Sequence, residues 1–226
     1  MATRPLPDLT LEAEARAGGA LRIAGVDEVG RGPLAGPVVA AAVILDPERV
    51  PEGLDDSKRL APARRELLAL ELRRCAEVSV AEASVAEIDS LGIWGATALA
   101  MTRALRPMEA DFALVDGAML PDGLGCLGRA DVRGDGRSAS IAAASVVAKV
   151  VRDGLMTALA QHDPRYGWES NKGYPTAAHH AALRHHGVTQ HHRRSFRPIH
   201  MILCPDGETS GSAEIPVDPA PPRTPS

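Results

Sequence analysis

Ile23-Ala-Gly-Val-Asp27-Glu28-Val-Gly30-Arg31-Gly32-Pro33 is the stretch that decides how this chain is read. The run from Leu21 to Val26 is largely apolar and reads as a buried strand. It ends in two adjacent carboxylates and then a glycine-rich turn. Two charges at the end of a core strand are costly to desolvate unless something pairs with them. A divalent cation is the natural partner. Gly30-Arg31-Gly32 brings bare backbone N–H groups and a guanidinium to the same place, which suits a phosphate. A hard cation beside a phosphate points to phosphoryl-transfer chemistry.

Outward from this stretch, strands and helices alternate. Val38–Leu45 reads as a second apolar strand, ended by Asp46-Pro47. Pro62–Arg74 has helical periodicity, Glu77–Ala83 alternates as a strand does, and Ile93–Leu105 reads as a helix. Asp111–Val115 and Leu127–Val132 are short strands. Ser140–Ala160 is a long Ala- and Val-rich helix with Ser140 as its expected cap. Thr176–His186 is a further helix, stopped by Gly187, and a short helix is expected at Leu9–Ala17. This order predicts an α/β fold, a central sheet flanked by helices. Residues 1–20 are expected to be an extension, 21–204 the folded domain, and 205–226 a disordered acidic, Pro-rich tail.

Asp116 and Asp135 also follow short strands or glycine turns. If those strand ends are neighbours, Asp27, Glu28, Asp116 and Asp135 converge. Two divalent ions roughly 4 Å apart would then clamp the attacking and leaving oxygens of a phosphodiester. Asp116-Gly117 and Gly134-Asp135-Gly136 each also fit an ordinary turn, since Asp-Gly is a common turn signal. Two acids directly after a buried strand fit that explanation poorly. Other acids read as structural: Asp56 as a cap of the next helix, Glu87 and Asp89 as solvated surface, and Asp153 as an i,i+4 partner of Lys149.

The formal net charge of −4 hides a division. Pro205–Ser226 holds four acids against Arg223 alone, whereas Arg184–His200 holds four arginines, five histidines and no acid. An active face can therefore be basic although the chain is not. Of 25 basic residues only Lys58, Lys149 and Lys172 are lysine. Lys58, preceded by Ser57, and Lys172 lie in segments suited to phosphate contact. Tyr174 enters a helix at Pro175-Thr176 and offers a ring for stacking on a sugar or base. His191-His192-Arg193-Arg194-Ser195-Phe196 reads as a basic surface that holds a nucleic-acid backbone, since adjacent histidines on one element rarely ligate one ion. The three cysteines have no metal-ligand spacing, and their odd number argues against a disulfide framework. With no signal-peptide core and no membrane-length apolar run, a reducing, cytoplasmic setting is expected.

These motifs, with the Ala143-Ala-Ser-Val-Val-Ala-Lys149-Val-Val-Arg-Asp153 helix, Lys172-Gly-Tyr174-Pro-Thr and Asp56-Ser57-Lys58, occur in the order found in ribonuclease HII, which the chain resembles from about Leu21 to Ile202. The resemblance implies an RNase H-like fold with a mixed central sheet and a C-terminal helical portion. It implies an endoribonuclease that cleaves the RNA strand of RNA/DNA hybrids and incises 5′ of single ribonucleotides in duplex DNA. The products would be 3′-hydroxyl and 5′-phosphate ends, and the cofactor Mg²⁺ or Mn²⁺. Asp27, Glu28, Asp116 and Asp135 would be the catalytic metal ligands. Gly30, Arg31 and Gly32 would read the ribose 2′-hydroxyl, and Tyr174 would pack on the following deoxyribose. Ser57, Lys58, Lys149 and Lys172 would hold phosphates, and the protein would act as a monomer. The chain departs from the family pattern at Arg133, Gly136 and Ala142. A DNA resolvase or transposase-like nuclease, a hybrid-binding protein without turnover, and a Ca²⁺-binding interaction module are the alternatives.

Overall fold

The computed structural model describes residues 5–204. Its elements are α1 (Thr10–Ala17), β1 (Ile23–Val29), β2 (Val38–Leu45), α2 (Pro62–Cys75), β3 (Ala76–Ala83), α3 (Val85–Leu105), β4 (Phe112–Asp116), β5 (Leu127–Asp131), α4 (Ala139–His162), α5 (Trp168–Asn171), α6 (Ala177–His186) and α7 (Arg197–Leu203).

Val38–Leu45 shows why the sheet has helices on both faces. All eight residues are buried, and a strand points alternate side chains to opposite sides. Val38, Ala40, Ala42 and Ile44 pack with Ala96, Ala100 and Met101 of α3. Val39, Ala41, Val43 and Leu45 pack with Leu68 and Leu72 of α2 and with Val146 and Val147 of α4. Fully burying a Val, Leu or Ile side chain is worth about 1.5–3 kcal/mol, so each face has reason to stay covered.

The strand order is β3-β2-β1-β4-β5. β1 is antiparallel to β2 and parallel to β4, and β4 is parallel to β5. The sheet is therefore mixed, with β1 at its centre. Because β1, β4 and β5 run the same way, their carboxy ends lie along one edge. The register pairs Val26 with Val115 and Asp116 with Asp131, so the acids at these ends are neighbours.

α4 crosses β1 closely. A Cβ at Gly25 would collide with the Ser140 backbone, and the facing helix is built from Ala142, Ala143 and Ala144. The C-terminal helices form their own core around Met156, Tyr166, Trp168, Leu183 and Ile199. At the other end, α1 is docked. Leu11 packs with Ile23, Leu114 and Ile141, and the buried Glu12 carboxylate accepts from the Ser138 hydroxyl and from the Ser140 backbone and hydroxyl.

Three local expectations need correction. α3 starts at Val85 rather than Ile93, behind a capping box of Ser84 and Glu87, and Gly92 breaks it with φ +71°. α4 is capped by Ser138, whose hydroxyl accepts from Ile141 N–H, while Ser140 lies inside the first turn. Asp56 caps no helix: it accepts from Lys58 N–H in a turn, and α2 begins later, at Pro62. The expectation of a disordered tail falls outside the described residues.

Candidate active site

Asp27 is buried near the end of β1, and its neighbour Glu28 is partly buried. The Glu28 N–H donates to Asp27 Oδ1 at 2.7 Å, and Ser145 of α4 hydrogen-bonds the same carboxylate. Asp116 ends β4 beside them. Its Oδ1 accepts from Gly134 N–H at 2.7 Å and Asp135 N–H at 3.4 Å, which ties the short turn Gly134–Gly136 to the strand end. Lys58 Nζ stands 3.7 Å from Asp135 Oδ2. The four acids named from the sequence thus meet at one edge of the sheet.

Their charges oppose one another. Burial, then Glu28 and Asp116, push the Asp27 carboxyl well above its ordinary value. Burial also raises Glu28, and Arg31, whose Nη1 lies 3.3 Å from Glu28 Oε1, holds it back. Burial works against the Lys58 charge, but Asp56, Asp135, Asp27 and Asp116 outweigh it and raise the Lys58 pKa. Such a cluster fits divalent cations, which would relieve the repulsion with oxygen ligands alone. Among the described residues, no three of these groups already surround one point at ligating distance. Small side-chain movements would have to complete a coordination shell.

Two further residues lie beside the acids. Asp131 pairs with Asp116 across β4 and β5, is buried, and is held by Arg129 Nε at 2.9 Å and Arg137 Nη1 at 3.7 Å. The sequence carries no signal for it, because the expected strand runs past it to Val132 while β5 ends at Asp131. Ser145 links Asp27 to Ser57, with the two hydroxyl oxygens 2.9 Å apart. Ser57, an expected phosphate contact, is buried and directs its hydroxyl to Ser145.

The Gly30–Gly32 turn is fixed from beneath by two buried arginines. Arg193 donates to the carbonyls of Gly30 (2.6 Å), Arg31 (3.0 Å) and Gly36 (2.9 Å). Arg152 donates to Pro37, Ala35 and Lys172 carbonyls at 3.0–3.2 Å. Gly30 has φ +99°, and a Cβ there would run into the Arg152 side chain, so glycine is required twice over. Because the Arg152 side chain packs against Gly30 and donates to the Lys172 carbonyl, the Gly30–Gly32 turn and the Lys172–Tyr174 loop are joined through it. Leu34 N–H donates to the Gly173 carbonyl at 2.8 Å, and Gly32 lies against the Tyr174 ring. Tyr174 is 39% exposed and so is free to meet a ligand.

This corrects the basic surface expected at His191–Phe196. His192 and Arg193 are buried, and the Arg194 and Ser195 backbones bind the Asp89 carboxylate, which is therefore structural rather than merely solvated. Burial, then Arg152, push the Arg193 pKa down to about 9, still charged at neutral pH. His192 contacts His179 (Nε2–Nε2 3.1 Å) and Thr189. Burial, then the neighbouring histidines, lower its pKa to about 4.

Lys149 and Lys172 are not at the acids. They line a separate groove with Arg65 and Asp153. Lys149 Nζ is 2.7 Å from Asp153 Oδ1, the expected i,i+4 pair, and Lys172 Nζ donates to Thr157 Oγ1 at 2.7 Å. Arg65 connects this groove to the acids through its 2.9 Å hydrogen bond to the Ser57 carbonyl.

Solved structures share this architecture. The ribonuclease HII chain from the PCNA complex of Archaeoglobus fulgidus superposes with a TM-score of 0.68 at 26% identity, covering 78% of this chain and 96% of that one. Ribonuclease H2 from Pyrococcus horikoshii OT3 gives 0.65 at 24% identity, over 80% and 97%. Bst-RNase HIII, solved in complex with Mn²⁺, gives 0.63 at 20% identity, over 81% and 70%, and supports the fold alone. The class is thus an RNase H-like α/β fold with a mixed five-stranded sheet and C-terminal helices. The family model for ribonuclease HII matches residues 24–199. Curated relatives of that name are 61% identical over 199 residues in Ruegeria pomeroyi, covering 87% of this chain and 85% of that protein. In Cereibacter sphaeroides they are 57% identical over 206 residues, covering 90% and 97%. The chain belongs to the ribonuclease HII family, whose members are nuclease hydrolases of the ribonuclease H type. Among the described residues no helix is long and apolar enough to cross a membrane.

Proposed function

We propose that this chain is a metal-dependent endoribonuclease that hydrolyses the RNA strand of RNA/DNA hybrids and incises 5′ of single ribonucleotides in duplex DNA. One observation carries this reading: Asp27, Glu28, Asp116 and Asp135 gather at one sheet edge beside a Gly30–Gly32 turn locked to Tyr174. Mg²⁺ or Mn²⁺ held by these four acids would neutralise the phosphodiester and activate water for in-line attack at phosphorus. Attack breaks the P–O3′ bond and leaves a 3′-hydroxyl and a 5′-phosphate. Ser145, backed by Ser57, holds Asp27 in place. Lys58 faces the acids and suits a phosphate oxygen. Gly30, Arg31 and Gly32 present the 2′-hydroxyl reader, because only that group separates RNA from DNA at a given site. Tyr174, against Gly32, would pack on the next deoxyribose. Lys149 and Lys172, in their separate groove, would meet phosphates farther along the duplex.

We place the catalytic domain at 21–204, with residues 1–20 as an extension and 205–226 as a tail. The free state of Cys75, Cys126 and Cys204 supports a reducing, cytoplasmic setting, and a monomer suffices for the site. The test is an end-labelled DNA duplex carrying one ribonucleotide, incubated with Mg²⁺, Mn²⁺ or EDTA beside an all-DNA control. Metal-dependent incision 5′ of the ribonucleotide with an intact control is expected. Cleavage of the control would favour the resolvase reading, and binding without cleavage the non-catalytic one.

A further inference from the structure

A cleft of about 300 Å³ opens beside the acids, and its apolar side has no part in the proposed cleavage. Glu28 and Asp116 form one wall, and Arg31, Trp94, Met101 and Met119 line much of the rest. Trp94 is 58% exposed and Met119 63% exposed, whereas Trp168, the chain's other tryptophan, is fully buried. Large apolar side chains grouped in the open next to a charged site mark a binding surface more often than chance exposure.

The backbone puts Trp94 there deliberately. Gly92 breaks α3 at φ +71°, a conformation that suits glycine, so a fresh helical segment starts at Ile93. On that segment Ala96, Ala100 and Met101 are buried against the sheet, leaving Trp94 on the open side. The Arg31 guanidinium lies over the Trp94 ring, 3.8 Å from its centroid. The same guanidinium reaches Glu28 Oε1 at 3.3 Å. A continuous contact therefore runs from the acids through Arg31 to an exposed aromatic face.

We propose that Trp94 and Arg31 form a stacking subsite for a nucleotide of the cleaved strand that adjoins the scissile phosphodiester. This rests on the nuclease reading of the site. The chemistry selects the occupant. Arg31 covers one face of the Trp94 ring, so a base or the apolar side of a sugar stacks on the other, and the guanidinium takes a neighbouring phosphate. The carboxylate wall repels a free anion, so the neutral part of the nucleotide belongs over Trp94. Continuity with Glu28 and Asp116 puts that nucleotide next to the cut.

The test uses Trp94→Ala, Trp94→Leu and Trp94→Phe in the full chain, with the single-ribonucleotide duplex as probe. KM should rise about tenfold for Ala and Leu and stay within about twofold for Phe, with kcat within about threefold of wild type, because stacking and not bulk is lost. Acrylamide quenching gives a readout independent of turnover. In EDTA, the duplex should shield Trp94 as anisotropy reports binding, and the Phe variant, emitting from buried Trp168 alone, should show no such change. A bound duplex that leaves Trp94 fully quenchable would overturn the proposal. So would an unchanged KM, or a fall in kcat alone, which would make Trp94 merely a prop for Arg31. A wild-type protein that cuts no ribonucleotide substrate in either metal would sink the nuclease reading instead. The shielding measurement would still stand, so the two failures are distinguishable.

Discussion

Two buried clusters of charge, the acids at the ends of β1 and β4 and the arginines beneath the Gly30–Gly32 turn, are handled in opposite ways. Arg152 and Arg193 are each surrounded by backbone carbonyls, and their hydrogen bonds are met by a fixed part of the fold. Asp27 and Glu28 have each other and Asp116 as neighbours, and their pKa values are pushed up. A buried charge matched by immobile dipoles is a structural fastener. A buried charge set against its own kind is the arrangement a cation would relieve. The proposed chemistry belongs to the second kind, although the arginines are the more deeply buried, at 0% exposure against 5% for Asp27 and partial burial for Glu28.

The sharpest way to break this contrast is substitution at the acids. Asp116→Ala or Asp27→Ala should lower cleavage of the single-ribonucleotide duplex by more than about a thousandfold while the circular dichroism spectrum stays native. Appreciable turnover in either variant would remove these acids from the chemistry. The arginines should behave in reverse. Arg193→Ala strands several buried carbonyls and should cost about 3–5 kcal/mol in urea unfolding. An Arg193→Ala protein of unchanged stability, impaired only in cleavage, would make Arg193 functional and dissolve the contrast.

A third kind of buried ionisable group lies beside Arg193. His192 is held neutral, with its pKa lowered to about 4 from 6.5 by burial and the neighbouring histidines. It binds a proton more weakly folded than unfolded, so its contribution is full above about pH 6.5 and is lost as the pH falls toward 4. That loss amounts to about 3 kcal/mol at most. His192→Gln should therefore lose less stability than wild type between neutral pH and pH 5, read from urea midpoints, and parallel curves would contradict it. Smaller still is Tyr174→Ala, which should weaken preference for an RNA–DNA junction by roughly tenfold with little change in melting temperature. An unchanged preference would count against stacking.

Much of the sheet and the acidic site could be read from the residues. β2 was predicted at its observed limits because an unbroken apolar run between turn signals has few other uses, and Asp27-Glu28 stood out because two acids so rarely follow such a run. What escaped prediction depends on tertiary contact. Arg193 reads as surface in His191–Phe196 because nothing local shows the carbonyls of a turn more than 150 residues earlier, such as Gly30, which its Nη2 meets across a separation of 163. Asp131 was hidden because the expected strand ran past it to Val132. The first part of α3 is not legible because Gly92 separates it from the clearer pattern after Ile93. Ser138 is not singled out as a cap because Ser140 is equally suitable by sequence and both hydroxyls reach Glu12; only the extended backbone at Ser138, whose hydroxyl accepts from Ile141 N–H, distinguishes them.

The most direct test is thermal melting of wild type and Asp27→Asn with and without Mn²⁺. If the acids repel one another until a cation arrives, Asp27→Asn should melt higher than wild type in EDTA, and Mn²⁺ should raise the melting temperature of wild type but scarcely that of the variant. A variant that melts lower in EDTA and gains as much from Mn²⁺ as wild type would show that Asp27 is a structural group and that the cation binds elsewhere.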